Sequence, residues 1–210
     1  DNENEQDGNT RVDDYYDDFI KKIDKAASIE KIDKLQNEYK NLIKSSLTRP
    51  KRGIELKVAI VGEIYLLIEP FINRDVAKKL GKLGVMVERK IYISQWVYEF
   101  LNMSDEHEKV MKNAKPYLDS KVGGHGVDTI ADTVKYAKRG FDGVVHLSPF
   151  TCMPEIVAET ILPEITKNEN IPVLTVIYDE HTADAGLITR LEAFVDLLER
   201  KKRSGKISHG

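Results

Sequence analysis

The sequence is poor in the residues that usually announce a chemistry. One cysteine in 210 residues excludes an internal disulfide and with it the stapled scaffold of small secreted domains. There is no excess of positive charge. The net charge is -3 and the pI about 6.0, so no bulk basic field points to nucleic acid or to an anionic membrane. No apolar run approaches the roughly 20 residues of a membrane span. The chain opens Asp1-Asn2-Glu3-Asn4-Glu5, without the basic and apolar segments of a signal peptide, and a reducing cytoplasm is the expected compartment. Neither G-x-G-x-x-G nor G-x-x-x-x-G-K-[ST] occurs, so the two strongest phosphate-cradle signatures are missing.

What is present supports a core. The apolar fraction is 41 %, and the length suits one domain with an appendage. Residues 1–18 hold eight acids and one base, Arg11. The first ten should be disordered, and the polar, non-Met opening suggests a piece of a longer protein that starts in a linker. Thr10-Arg11-Val12-Asp13 reads as a capping box. Val12, Tyr15, Tyr16, Phe19, Ile20 and Ile23 follow at helical spacing, and the acids precede the lysines as the helix dipole prefers. A second helix is expected from Ser28, with Ile29, Ile32, Leu35, Tyr39, Leu42 and Ile43 on one face. An apolar stripe of this kind packs against a domain or docks a partner. Residues 45–53 (SSLTRPKRG) form a boundary with a solvated basic cluster, Arg49, Lys51 and Arg52. The expected organisation is an acidic tail, helical pair and linker over 1–53, an α/β domain over 54–203, and a frayed tail over 204–210.

Four strands are expected in the second part: Leu56 to Val61, Val85 to Val87, Val144 to Leu147 and Ile171 to Tyr178. The last is continuously apolar, as fully buried parallel strands are. Residues 64–70 (IYLLIEP) are an unusually apolar loop that a ligand, helix or second domain should cover. Val76, Ala77 and Leu80 mark a helix ending at Gly81 or Gly84. Between the second and third strands the alternation breaks, and residues 91–121 read as a helical insertion. One helix carries Trp96, Val97, Phe100 and Leu101; another carries Val110, Met111, Ala114, Tyr117 and Leu118. Gly123-Gly124-His125-Gly126 is a turn whose amides at a helix start suit an anion, or whose glycines serve positive φ angles. A helix to Gly140 follows. The alternation argues a doubly wound, mostly parallel flavodoxin- or Rossmann-like sheet of at least four strands.

Glu63, Cys152, Asp179, Glu180 and His181 all leave strands at one edge, the carboxyl edge where open α/β sheets bind ligands. After Leu147, Ser148-Pro149 stops the strand, Thr151 is placed to cap a helix, and Pro154 falls in its first turn. Cys152 is either an inert buried thiol or a thiolate favoured by the helix N-terminus. A nucleophile needs a base. Alternation buries His146, and His181 is better placed if its strand adjoins that of Cys152. No C-x-x-C or H-x-x-x-H spacing supports zinc on Cys152, His181 and an acid. Asp179, Glu180, Thr182 and Asp184 also read as capping or pairing groups, and Arg190 with Glu192 as an ion pair or a contact with a neighbouring domain.

The segments Val145-His146-Leu147-Ser148-Pro149-Phe150-Thr151-Cys152-Met153-Pro154-Glu155, Pro172-Val173-Leu174, Asp179-Glu180-His181-Thr182 and Thr189-Arg190-Leu191-Glu192-Ala193-Phe194 resemble, as a set, the 2-hydroxyacyl-CoA dehydratase family. They are more similar still to its relatives described as CoA-substrate-specific enzyme activases, and benzoyl-CoA reductases are similar too. Gly62-Glu63-Ile64-Tyr65 and the Gly123-Gly124 turn fit the same group, so the likeness runs from about Leu56 to Leu198. It implies a [4Fe-4S] or double-cubane cluster between two flavodoxin-like lobes, with Cys152 at the position of the last cluster cysteine. It also implies an ATP-dependent activator that delivers one electron and an acyl-CoA substrate that receives it. The other cluster cysteines are absent from this chain. An upstream domain should supply them, and alone the chain should hold no cluster. Glu63, Glu180 and His181 are the candidates for acid–base roles. A non-catalytic interaction domain, or a thiol-based domain using Cys152 and His181, are the other readings.

Overall fold

The computed structural model describes residues 7–46, 55–89, 106–120 and 122–207. The chain divides into two compact units, Asp1–Gly53 and Ile54–Gly210. In the first, α1 (Asp7–Ile23) and α2 (Ile29–Ser46) form a hairpin. Helix α1 starts at Asp7, ahead of the Thr10 cap read from sequence, so Asp7 to Thr10 are helical rather than disordered. Ser28 caps α2, its Oγ accepting from Lys31 N at 3.3 Å. The two helices are tied through Tyr39, the buried residue of α2. Its hydroxyl donates to Asp18 Oδ2 and accepts from Lys22 Nζ at 2.7 Å. The Phe19 and Tyr39 ring centroids lie 5.1 Å apart.

In the second unit the order is β1 (Leu56–Gly62), α3 (Ile64–Ile68), α4 (Pro70–Asn73), α5 (Val76–Lys82), β2 (Val85–Arg89), α6 (Glu106–Ala114), α7 (Gly126–Lys138), β3 (Gly143–Pro149), α8 (Met153–Asn168), β4 (Val173–Tyr178) and α9 (Asp184–Ile207). The strands form one all-parallel sheet ordered β2-β1-β3-β4. Both faces are covered, so the sheet is doubly wound. Val58, Ile60, Val145, Leu147 and Val176 face a core closed by Leu80, Leu191, Val195 and Leu198. Ala59, Val61 and Val144 face a second core built on Ile130, Val134, Ala158 and Ile165. Strands β1 and β3 are therefore apolar at most positions, because each of their faces is buried; Lys57 and His146 are among the exceptions within them. Among the described residues no helix is long and apolar enough to cross a membrane.

Several local expectations are corrected. Residues 64–70 are not a loop. Glu63 caps α3, its Oε2 accepting from Leu66 N at 3.1 Å, and Glu69 with Pro70 opens α4. This buries Leu66 and Leu67 in the first core. Strand β4 is an edge strand, not a fully buried one, and Ile177 is 41 % exposed. The Pro172 and Tyr178 carbonyls accept from Val144 N and Phe150 N of the β3 segment. Alternation then turns the Thr175 carbonyl outward, where Arg190 Nη2 donates to it at 2.5 Å. Arg190 thus covers the open edge instead of pairing with Glu192. Helix α9 continues through Ile207, so the expected frayed tail is helical from Ser204 to Ile207. Of the insertion, α6 buries Val110 and Ala114 in the second core. The helix expected around Trp96 and the Arg49–Lys51–Arg52 cluster lie outside the described residues.

Two predictions follow from this packing. Gly62 has φ 136, and a Cβ there would stand 2.0 Å from the Leu147 carbonyl oxygen. Gly62→Ala should cost about 3 kcal/mol in urea unfolding, whereas Gly81→Ala, in open helical space, should be neutral or stabilising. In the hairpin, the Tyr39 hydrogen bond and then Lys22 hold the Asp18 carboxyl below its usual range. A depressed carboxyl stabilises above its unfolded value and loses that contribution as pH falls through the folded one. Acid should therefore loosen the Phe19–Tyr39 contact, seen as lost ring-to-ring NOEs, and Asp18→Asn should flatten that dependence.

Candidate functional site

The chain leaves β3 at Pro149 and enters α8 at Met153, and Cys152 sits between them at the sheet's carboxyl edge. Thr151 was expected to cap α8, but its φ of 65 turns its hydroxyl back to donate to the Phe150 carbonyl at 2.6 Å. Cys152 is the N-cap residue instead. It is half-buried, its side chain makes no capping hydrogen bond, and Pro154 occupies the first turn. The sulfur thus stands at the amide end of a 16-residue helix. Phe150 and Met153, on either side, are 64 % and 67 % exposed.

Behind this turn lies a polar network in which His146, Glu155 and Thr129 are buried and Thr175 is half-buried. His146, on β3, places Nε2 2.8 Å from Glu155 Oε2 and Nδ1 3.2 Å from Thr175 Oγ1. Thr129 Oγ1 of α7 donates to the same Glu155 oxygen at 2.9 Å. Both His146 and Glu155 side chains are 0 % exposed, and Glu155 Oε1 has no hydrogen-bond partner. His146 is inside, as alternation along β3 allowed. Its two ring nitrogens are engaged by Glu155 and Thr175, so it does not serve Cys152 as a base. Glu155 is the residue that sequence reasoning passed over. Its signal was a carboxylate three residues after an N-cap, nine residues beyond a strand histidine.

The Gly123-Gly124-His125-Gly126 turn packs directly on the start of α8. A Cβ on Gly126 would meet the Pro154 carbonyl oxygen at 2.2 Å, and one on Gly124, at φ 69, would meet Pro154 Cγ at 2.9 Å. Close approach thus explains Gly126, and close approach with positive φ explains Gly124. His125 caps α7 by position, with Nδ1 3.6 Å from Asp128 Oδ2.

Strands β3 and β4 are adjacent, so Cys152 and His181 leave neighbouring strands at the same edge. The exposed His181 ring pairs loosely with exposed Glu180 at 3.7 Å. No hydrogen bond or ion pair among the described residues joins it to Cys152. Asp179 organises its own loop, Oδ1 accepting from His181 N at 3.0 Å and from Thr182 Oγ1 at 2.9 Å. The Thr182 hydroxyl chiefly holds the Asp179 carboxyl below its usual range. The connections of β1 and β3 run to opposite sides in the order β2-β1-β3-β4, so a crevice opens between their carboxyl ends. There, Glu63, Tyr65, Phe71, Arg74, Asp179 and Thr182 line a cleft of about 330 Å³.

Among the described residues no group of three or more His, Cys, Asp and Glu side chains could hold a metal ion. Fold and site together define a doubly wound α/β domain with a cysteine and a polar cleft at the carboxyl edge. No protein-family model matches the chain, and no curated protein matches it.

Removing one partner of a buried hydrogen-bonded pair leaves the other unsatisfied, at a typical cost of about 1–3 kcal/mol. Glu155→Ala and His146→Ala should each destabilise by that order in urea unfolding. The double variant should fall short of additivity by about 1–3 kcal/mol. Additive losses would show that the pair is not coupled.

Proposed function

We propose that this chain is one lobe of an iron–sulfur protein of the 2-hydroxyacyl-CoA dehydratase or activase type. In this reading Cys152 supplies one thiolate to a [4Fe-4S] or double-cubane cluster, and a second, upstream lobe supplies the rest. The observation that carries it is the placement of Cys152: half-buried, uncommitted to a helix cap, and bordered by exposed Phe150 and Met153. A sealed core would have removed the sulfur from any shared ligand set.

The donor set fits one corner of such a cluster and does not fit a complete one. Fe–S clusters are normally held by four thiolates, and this chain has one cysteine. The bound cluster would supply a single electron, received from an ATP-hydrolysing activator, to an acyl-CoA thioester. The chain's own residues do three things. The N-cap position at α8 presents the Cys152 sulfur at the sheet edge without a capping hydrogen bond. Phe150 and Met153 exclude water once the second lobe covers them. The His146–Glu155–Thr129 network and the Gly126–Pro154 contact hold the turn rigid. Electron transfer of this kind belongs in a reducing, cytoplasmic compartment. The exposed apolar rim favours a second reading, a non-catalytic interaction domain that docks through the same face.

The test is anaerobic iron and sulfide analysis of the protein purified from its native cells, with and without Cys152→Ala. The reading expects substantial loss of iron and acid-labile sulfide in the variant. It also expects the isolated chain to retain no iron after desalting. Equal iron in variant and wild type, with partner capture unchanged, would overturn it in favour of the docking domain.

A further inference from the structure

The cleft between the carboxyl ends of β1, β3 and β4 holds charges of both signs. Glu63 and Asp179 are carboxylates, Arg74 is a guanidinium, and Tyr65, Phe71 and Ile72 supply apolar wall. Both acids are held in place by their own backbone. Glu63 Oε2 accepts from Leu66 N, and Asp179 Oδ1 accepts from His181 N and Thr182 Oγ1. A carboxylate has about four lone-pair sites, so each retains capacity toward the cleft.

Arg74 is presented at a conformational cost. It has φ 54 and the next residue, Asp75, φ 53, two successive non-glycine residues in the left-handed region. Such positions cost roughly 1–3 kcal/mol each and cluster at functional sites. The turn they make ends α4 and places the guanidinium 3.9 Å from Asp184 Oδ1. At that separation the contact is not a tight bidentate pair. Asp184 also lies 3.5 Å from Lys79 Nζ, so it is shared between two cations.

This combination selects the charge pattern of a ligand. A simple anion bound to Arg74 meets two carboxylates in the same 330 Å³. A simple cation bound to Glu63 or Asp179 meets the guanidinium. A molecule carrying both signs a few ångströms apart satisfies all three groups, and an apolar side chain covers Tyr65 and Phe71, which are 55 % and 85 % exposed. The volume lies at the low end for small-molecule sites. We propose that the cleft binds a free α-amino acid with an apolar or aromatic side chain, its carboxylate on Arg74 and its ammonium between Glu63 and Asp179. This stands on the cleft's own geometry and does not depend on the iron–sulfur reading.

Isothermal titration of the full chain with L-phenylalanine and L-leucine, with phenylacetate (carboxylate only) and with 2-phenylethylamine (ammonium only), tests it. At least one amino acid should bind, and both single-charge probes should be weaker by about tenfold or more, the worth of one charge-assisted hydrogen bond. Arg74→Gln should reduce L-phenylalanine to the level of 2-phenylethylamine. Glu63→Gln with Asp179→Asn should reduce it to that of phenylacetate. These two replacements keep the acceptors for Leu66 N and for the His181–Thr182 turn while removing the charges, and circular dichroism melting confirms that each variant is folded. Failure of both amino acids to bind at millimolar concentration overturns the proposal. So does phenylacetate or 2-phenylethylamine binding as tightly as L-phenylalanine, or full retention of binding in folded Arg74→Gln.

Discussion

A buried carboxylate and a buried imidazole, 2.8 Å apart, join the elements that matter most in this molecule. His146 is fixed by the central strand β3, and Glu155 by the first turn of α8. Thr129 brings α7 to the same oxygen and Thr175 brings β4 to the other ring nitrogen. Apolar packing alone would let α8 slide along the sheet, because dispersion contacts are individually weak and non-directional. A hydrogen-bonded pair in a medium of low polarity does not slide, since any shift leaves a buried polar group without a partner. Cys152 lies three residues before Glu155 and inherits that rigidity.

The same turn is held from its other side by backbone contact. Gly126 lies against the Pro154 carbonyl with no room for a side chain, so the starts of α7 and α8 meet at close range. A few residues away, across Pro149, the edge changes character. The cleft at the ends of β1, β3 and β4 is lined by Glu63, Asp179 and Arg74 together with aromatic rings. One edge thus presents two chemically distinct neighbourhoods. One presents a lone sulfur between exposed apolar side chains; the other presents charges of both signs.

Most of the α/β framework was legible in the chain. Strand residues at β1, β2, β3 and β4, helix formers between them and glycines after them predict a parallel doubly wound sheet, and the structure has one. The local errors share a cause. Residues 64–70 look like a loop because they follow a strand end and carry no helical period. Two acids at cap positions, Glu63 and Glu69, nonetheless make two very short helices there, whose apolar residues the sheet then buries. Thr151 looks like a cap by residue type, yet the strand-to-helix turn needs a left-handed residue at that point and passes the cap to Cys152. Strand β4 reads as central from its composition. Its place at the edge shows only in the pairing order, and so does the role of Arg190, which donates to a carbonyl 15 residues before it.

Periodicity and residue type are local quantities, and by themselves they determined the strands, most of the longer helices and the edge at which Glu63, Cys152, Asp179, Glu180 and His181 emerge. They could not determine which of these groups share a neighbourhood. That depends on strand order and on side-chain direction, which are settled only when the whole sheet assembles and buries both faces at once. Tertiary structure decided that His146 turns to Glu155 rather than to Cys152. It also decided that the glycine turn serves the start of α8 and that Arg74 shares a cleft with Glu63 and Asp179. The reason is that each of these contacts joins residues on different elements, brought together by burial and not by any local preference.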